Sequence, residues 1–282
     1  MENIIIKPII RNALNEDLGL GDITTFATVS YGTSGCAALY ARENLVLAGV
    51  DVFKAVFHEI DSSLIILGDY KDGDMIFKDS LVLTIEGKLQ SILQAERTAL
   101  NFLQRMSGIA SRTKEYVTKV KPWNTKILDT RKTAPGIRVF DKYSVRVGGG
   151  YNHRTGLFDG VLIKDNHIIA AGGISKAVKK AKSYIPHTLK IEVEVETIDQ
   201  LAEALDAGAD IIMLDNMSVE TMKNAVKIVA NRVPLEASGG INLDNIAEIA
   251  ATGVDFISVG DITHSVKAAN FSLKIITTKT TI

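Results

Sequence analysis

The chain carries one cysteine, Cys36, in 282 residues. A single thiol excludes an internal disulfide and a cysteine-rich zinc site, and it fits a reducing compartment, so a cytoplasmic location is expected. An excess of charge is missing too. The 32 basic residues face 33 acidic ones, a formal net charge of −1, which supplies no global field for nucleic acid or an anionic membrane. Any anion site must therefore be built locally. Long apolar runs are absent: the longest uncharged stretch, residues 23–41, is rich in Thr, Ser and Gly, which argues against a transmembrane span. The start, Met1-Glu2-Asn3-Ile4-Ile5-Ile6-Lys7, has an early acid and too short an apolar run for a secretory signal. No HxxxH or HExxH spacing offers a transition-metal site, and Gly148-Gly149-Gly150 has neither the GxGxxG nor the Walker spacing. No low-complexity tract or solenoid repeat occurs.

What is present reads as a globular α/β protein. Hydrophobic residues make up 46% and charged residues 23%, enough to bury a sizeable core. The length favours one barrel with an appendage or two domains. Between residues 36 and 86, short apolar runs at 36–40, 64–67 and 81–85 alternate with turn chemistry at 61–63 and 71–74, which predicts a small sheet. Val52, Val56 and Ile60 recur at helical spacing over 50–60. A second helical stretch starts near Ser91, with a break expected at Gly108, and Pro122 closes it.

Beyond Pro122, six strand-like runs at 127–128, 160–163, 189–195, 210–214, 234–237 and 256–259 alternate with helical segments near 175–184, 198–207, 219–231 and 244–252. That alternation signals βα units and a parallel sheet. Six is short of the eight of a complete barrel, so residues 139–147 are held open as further wall. The run at 271–276 reads as a strand returning to the N-terminal sheet.

Each of the six runs ends in functional side chains or glycines, and the C-terminal strand ends of parallel barrels form the active face. The ends read Asp129-Thr130-Arg131-Lys132, Lys164-Asp165-Asn166-His167, Glu194 with Glu196, Asp215-Asn216, Glu236-Ala237-Ser238-Gly239-Gly240, and Gly260-Asp261-Ile262-Thr263-His264. Any one alone is more often a solvated loop residue or a helix cap; six together weaken that reading. Strict alternation in residues 191–196 sends Glu192, Glu194 and Glu196 to the interior, where carboxylates need cationic partners. For Glu192, the deepest, an internal salt bridge is the favoured role. Glu194 and Asp215, on consecutive strands near the mouth, form a pair suited to Mg²⁺ together with substrate oxygens. Ser238-Gly239-Gly240 and Val259-Gly260 place backbone N–H groups at adjacent strand ends, followed by helix starts suited to phosphate. Arg131, Lys132 and Arg138 before Gly148-Gly149-Gly150, and Asn152-His153-Arg154 after it, form a cationic cluster that a substrate with more than one carboxylate would explain. His167 is read as a cap, and His58 and His187 are given no role. Trp123 is read as packing at a domain boundary.

These residues resemble the decarboxylating quinolinate phosphoribosyltransferases. The resemblance runs through Glu16-Asp17-Leu18-Gly19, Gly21-Asp22-Ile23-Thr24-Thr25, Glu96-Arg97-Thr98-Ala99-Leu100-Asn101, Asp129-Thr130-Arg131-Lys132-Thr133, Asn152-His153-Arg154, Leu162-Ile163-Lys164-Asp165-Asn166-His167, Glu192-Val193-Glu194-Val195, Met213-Leu214-Asp215-Asn216-Met217 and Glu236-Ala237-Ser238-Gly239-Gly240. It implies an incomplete, six-stranded α/β barrel over residues 121–268, preceded by an α+β open-sandwich domain over 1–120 to which residues of about 269–282 return. It further implies that quinolinate and phosphoribosyl pyrophosphate give nicotinate mononucleotide, pyrophosphate and CO₂, with Mg²⁺, in NAD biosynthesis. Arg97, Arg131, Lys132, His153, Arg154 and Lys164 would grip the dicarboxylate and pyrophosphate, with Thr130 beside them. Glu194 and Asp215 would serve the metal, with Lys132, Lys164, Glu194 and Asp215 as the catalytic set. Ser238, Gly239, Gly240, Val259, Gly260, Asp261 and His264 would surround the 5′-phosphate. Arg97 would be supplied to a neighbouring subunit, so a homodimer or larger homo-oligomer is implied.

Asp261 departs from the small neutral residue usual in that family, and an acid beside a phosphate is unfavourable unless it points away. Three rival readings remain open from the residues: the related molybdenum-transport-associated group, an aldolase using Lys164 as a Schiff base, and a non-catalytic sensor of a phosphorylated metabolite.

Overall fold

The computed structural model describes residues 3–279. In chain order the elements are α1 (Asn3–Leu18), α2 (Ile23–Thr28), β1 (Ser34–Ala41), β2 (Leu45–Val46), α3 (Val50–Ile60), β3 (Ile65–Leu67), β4 (Met75–Ile76), β5 (Leu81–Lys88), α4 (Leu89–Val120), β6 (Lys126–Leu128) and α5 (Arg138–Val147). They continue with β7 (Val161–Ile163), α6 (Asp165–Ala171), α7 (Ile174–Tyr184), β8 (Ile191–Val195), α8 (Ile198–Asp206), β9 (Ile211–Asp215), α9 (Val219–Val229), β10 (Leu235–Ser238), α10 (Ile246–Ala250), β11 (Phe256–Ser258), α11 (Asp261–His264) and β12 (Phe271–Lys279). The chain divides into two compact units. Among the described residues the first holds 3–112, 134–148 and 266–279; the second holds 113–133 and 149–265.

The first unit is built on an antiparallel sheet ordered β12-β1-β5-β3, with β2 and β4 paired separately. α3 spans the predicted residues because its apolar positions fall on one face: Val52, Phe53, Val56 and Phe57 are all fully buried. Phe53 and Phe57 pack with ring centroids 4.9 Å apart, and each such side chain contributes about 1.5–3 kcal/mol on burial. The Asp72 carboxylate, in the predicted turn, accepts from the amides of Gly49 and Val50 at 2.9 and 3.0 Å and so neutralises the start of α3. It also accepts from the Tyr143 hydroxyl at 2.7 Å. Burial, reinforced by that carboxylate, pushes the Tyr143 phenol above its ordinary range.

Two sequence expectations are corrected here. α4 runs unbroken through Gly108. A Cβ there would sit 2.3 Å from the Lys267 carbonyl oxygen, so the glycine permits close backbone approach instead of ending the helix. Residues 139–147 are not barrel wall; they lie in α5, within the first unit. There Asp141, fully buried, receives Nε and one terminal nitrogen of Arg105, each at 2.8 Å, and the Ala134 amide at 3.0 Å.

The second unit contains all six predicted βα strands in one parallel sheet, ordered β6-β11-β10-β9-β8-β7. The two end strands do not pair with each other among the described residues, so the barrel is open. Tyr151 bridges Leu128 in parallel and lengthens the β6 edge. β8 is buried at Ile191, Val193 and Val195, as expected where helices cover the outer face of a parallel sheet. α8 and α9 start at Thr197 and Ser218, whose hydroxyls accept from Gln200 N at 3.2 Å and Thr221 N at 3.1 Å. Parallel register aligns the C-terminal ends: Ala237 pairs with both Leu214 and Ile257, and Ser258 with Leu128.

Candidate active site

A cavity of about 610 Å³ opens at those C-terminal ends. Ten of the predicted site residues line it: Thr130, Arg131 and Lys132 after β6, His153 and Arg154, Lys164 after β7, Asp215 on β9, Ser238 at the end of β10, and Gly239 and Gly240 just beyond it. Of the ionisable groups, Arg131, Lys132, Arg154 and Lys164 bring positive charge, against Asp215, and Glu236 also lines the walls.

The cations are held by partners the residue pattern did not single out as site residues. Asp129, fully buried, accepts from the His153 amide at 2.9 Å and from Asn152 Nδ2 at 2.5 Å. It thereby straps the 152–154 stretch to the end of β6. Asp159 accepts from the amides of Thr155 and Gly156 at 2.7 and 2.8 Å. Burial works to raise the Asp159 carboxyl, but these backbone donors outweigh it and hold the group below its ordinary range. The loop so fixed brings an Arg154 terminal nitrogen within 3.0 Å of the Gly160 carbonyl. The Thr130 hydroxyl accepts from the Lys132 amide at 3.0 Å, and the Thr263 hydroxyl donates to the Lys132 carbonyl at 2.9 Å.

The three glutamates of β8 separate. Glu192 is buried, with Oε2 2.7 Å from His153 Nε2, the internal pairing expected of it. Glu194 pairs with the Lys164 ammonium. Glu196 lies past the strand end and is exposed, which corrects its placement in the interior. His153 Nε2 is also 4.0 Å from Glu236, so His153, Glu192 and Glu236 form one cluster with ligand atoms within 4.8 Å of one another. Burial, then the Glu192 charge, pushes the Glu236 carboxyl well above the ordinary carboxylate range. Burial and the nearby Arg131 charge lower Arg154, with Glu192 opposing them.

Four buried polar atoms have no partner among the described residues: Nε of Arg131 and Arg154, and Oε1 of Glu192 and Glu236. Unpaired buried donors are costly, and these two guanidinium donors belong to residues that line the cavity. An anionic ligand would satisfy them.

The phosphate-loop reading is met unevenly. Gly239 has φ 94°, and a Cβ there would stand 2.2 Å from Asn216 Oδ1, so only glycine fits the turn. Val259 contributes no spare amide, because its N–H donates to Leu128 O at 3.0 Å. The helix start expected after Gly240 is corrected, since α10 begins only at Ile246; α11 does start directly after Gly260, as a single turn. Val259, Gly260, Asp261 and His264 do not line the cavity. Asp261 accepts from the Tyr116 hydroxyl at 2.8 Å, and His264 Nδ1 lies 2.6 Å from Ser265 Oγ. His167 Nδ1 accepts from the Lys164 amide at 3.0 Å, the capping role expected of it. Arg97 is exposed on α4 in the first unit. Asn216, at φ 52°, donates to Asp215 Oδ2 at 2.8 Å and fixes that carboxylate; the Asp-Asn pair at the strand end was its only sequence signal.

Comparison with known proteins agrees across the chain. Residues 22–107 match the family described as "Quinolinate phosphoribosyl transferase, N-terminal domain", and residues 109–274 match "Quinolinate phosphoribosyl transferase, C-terminal domain". A probable nicotinate-nucleotide pyrophosphorylase (carboxylating) of Bacillus subtilis is 42% identical, covering 98% of this chain and 95% of its own length. The mitochondrial quinolinate phosphoribosyltransferase (decarboxylating) 2b of Nicotiana tabacum is 43% identical over 96% of this chain and 82% of its own. The solved nicotinate-nucleotide pyrophosphorylase of Francisella tularensis superposes with a TM-score of 0.94 at 45% identity, covering 98% of each chain. The chain belongs to the quinolinate phosphoribosyltransferase family.

Proposed function

We infer that the chain is a decarboxylating quinolinate phosphoribosyltransferase, a pentosyltransferase of NAD biosynthesis. It joins quinolinate to phosphoribosyl pyrophosphate and forms nicotinate mononucleotide, pyrophosphate and CO₂. The observation that carries the assignment to this cavity is the pair of unpartnered, buried guanidinium nitrogens of Arg131 and Arg154 beside Lys132 and Lys164. Two adjacent carboxylates on one ring are the anion that answers them.

On this reading Arg131, Lys132, His153, Arg154 and Lys164 bind the pyridine dicarboxylate and the pyrophosphate, with Thr130 fixing the Lys132 loop. Arg97, outside the cavity unit, is contributed to a neighbouring subunit of a homodimer or larger assembly. Ser238, Gly239 and Gly240 receive the 5′-phosphate, with Gly260 and His264 at the outer edge and Val259 as packing. Asp261 points its carboxylate at Tyr116, which answers the objection to an acid near phosphate. Asp215 has the oxygen chemistry for Mg²⁺ that arrives with substrate phosphates. Glu194, which pairs with the Lys164 ammonium, would be the metal's second carboxylate ligand. A bound Mg²⁺ would neutralise pyrophosphate charge. The protein's share is positional and electrostatic: its cations hold the pyridine nitrogen against the ribose carbon, and its carboxylates face the oxocarbenium-like centre as pyrophosphate departs. No covalent enzyme adduct is involved. No described helix is long and apolar enough to cross a membrane, and we place the enzyme in the cytoplasm.

The aldolase reading loses ground, because the Lys164 ammonium is held by Glu194, a cation's setting and not a Schiff-base nucleophile's. Incubation with quinolinate, phosphoribosyl pyrophosphate and Mg²⁺ should yield nicotinate mononucleotide and CO₂. Equal turnover of nicotinate would defeat the dicarboxylate reading.

A further inference from the structure

The second unit has another cavity, of about 620 Å³, at the opposite end of the same sheet. Its walls include the first residues of four strands, Lys126, Val161, Ile211 and Phe256. His153, Arg154 and Glu236 line both this cavity and the substrate cavity. The His153, Glu192 and Glu236 cluster therefore stands between two hollows, and the mechanism above gives Glu236 no task.

The reaction leaves one requirement unassigned. When the 2-carboxylate departs as CO₂, the electron pair of the broken carbon–carbon bond stays on ring C2, and nicotinate mononucleotide carries hydrogen there. Something must supply a proton to that carbon, and the guanidinium groups lining the site do not release one. We propose that Glu236 is the acid that protonates C2, and that it is recharged from water in the second cavity.

The balance is simple. The O–H bond of the Glu236 carboxylic acid breaks, the C2 electron pair forms the new C–H bond, and a carboxylate remains. That carboxylate then takes a proton from water entering at the N-terminal strand ends. The proposal rests on the quinolinate assignment. Its geometric support is that Glu236 is 2% exposed, borders both hollows and has an Oε1 atom with no protein partner. The groups facing it hold the proton in place. Glu192 on β8 and Asp129 at the end of β6 both favour the neutral acid, Ser258 on β11 opposes them, and burial is the largest influence. His153 lies 4.0 Å away and Arg154 lines the same walls.

The test is steady-state kinetics of the full-length enzyme and of Glu236→Gln across pH. Gln fills the same space but cannot release a proton. General acid catalysis is worth about 10²–10⁴ in rate, so kcat should fall about a hundredfold or more while KM for quinolinate stays within about threefold. In the wild type, kcat should decline as pH rises and the acid ionises; in Glu236→Gln that alkaline decline should vanish. A Gln variant with wild-type kcat, or one that is slow but keeps the same alkaline decline, overturns the proposal. If the Gln variant does not fold, Glu236→Asp takes its place, since it retains an acid at greater distance. It should show reduced kcat with an alkaline decline displaced from the wild-type position, and an unchanged profile overturns the proposal. A wild-type protein that forms no nicotinate mononucleotide overturns the activity assignment and this inference together; a wild type active beside an equally active Gln variant overturns this inference alone.

Discussion

The two units bury charge in opposite ways. In the first, Asp141 has its carboxylate met by both prongs of Arg105 and by a backbone amide. In the second, Arg131, Arg154, Glu192 and Glu236 each leave a buried atom unmatched. A satisfied buried pair holds a fold together; an unsatisfied one costs stability and persists where a ligand completes it. The difference separates scaffold from site without reference to any relative.

That contrast is open to attack by mutation. Arg105→Ala strands Asp141 in the interior and should cost about 3–5 kcal/mol, read as a lowered denaturation midpoint. A small shift would mean that the first unit's pair is no more structural than the second's. Arg154→Met should do the reverse: quinolinate affinity falls by about 2–5 kcal/mol, while the denaturation midpoint holds or rises. A loss of stability as large as that of Arg105→Ala would erase the distinction.

A subtler effect concerns pH. The folded Glu236 carboxyl is raised above its unfolded value, so the native state binds the extra proton. Stability is fully present below the ordinary carboxylate range and declines as pH rises through the folded value. Glu236→Gln should flatten that decline in denaturation midpoints, and an unchanged slope would assign it to another group. The smallest effect is expected at Ser218→Ala, which removes the cap of α9 and should cost about 1 kcal/mol with turnover unaltered.

Much of this was readable in the residues. The six parallel strands followed from apolar runs bounded by turns, and the cationic strand ends followed from their positions on those runs. Residues 139–147 read as wall because a mixed apolar and charged stretch between Pro135-Gly136 and Gly148-Gly149-Gly150 does not say which unit it joins; packing of Phe140 against Phe102, with ring centroids 5.2 Å apart, decides it. Gly108 misled because a glycine in a helix reads as a break, whereas its reason is a carbonyl 159 residues further along. The Asp129 strap and the shared wall at Glu236 depend on contacts between distant strands, which spacing along one strand cannot convey. By position alone Asp261 reads as an acid in the wrong place; the Tyr116 hydroxyl shows where it points.

The most direct test of the account is calorimetric titration of the protein with quinolinate and, separately, with nicotinate. If the orphaned guanidinium donors exist for a second carboxylate, quinolinate should bind at least about tenfold more tightly, the worth of one charged hydrogen bond. Equal affinities would contradict it, because the unmatched nitrogens of Arg131 and Arg154 would then have no bearing on what the cavity holds.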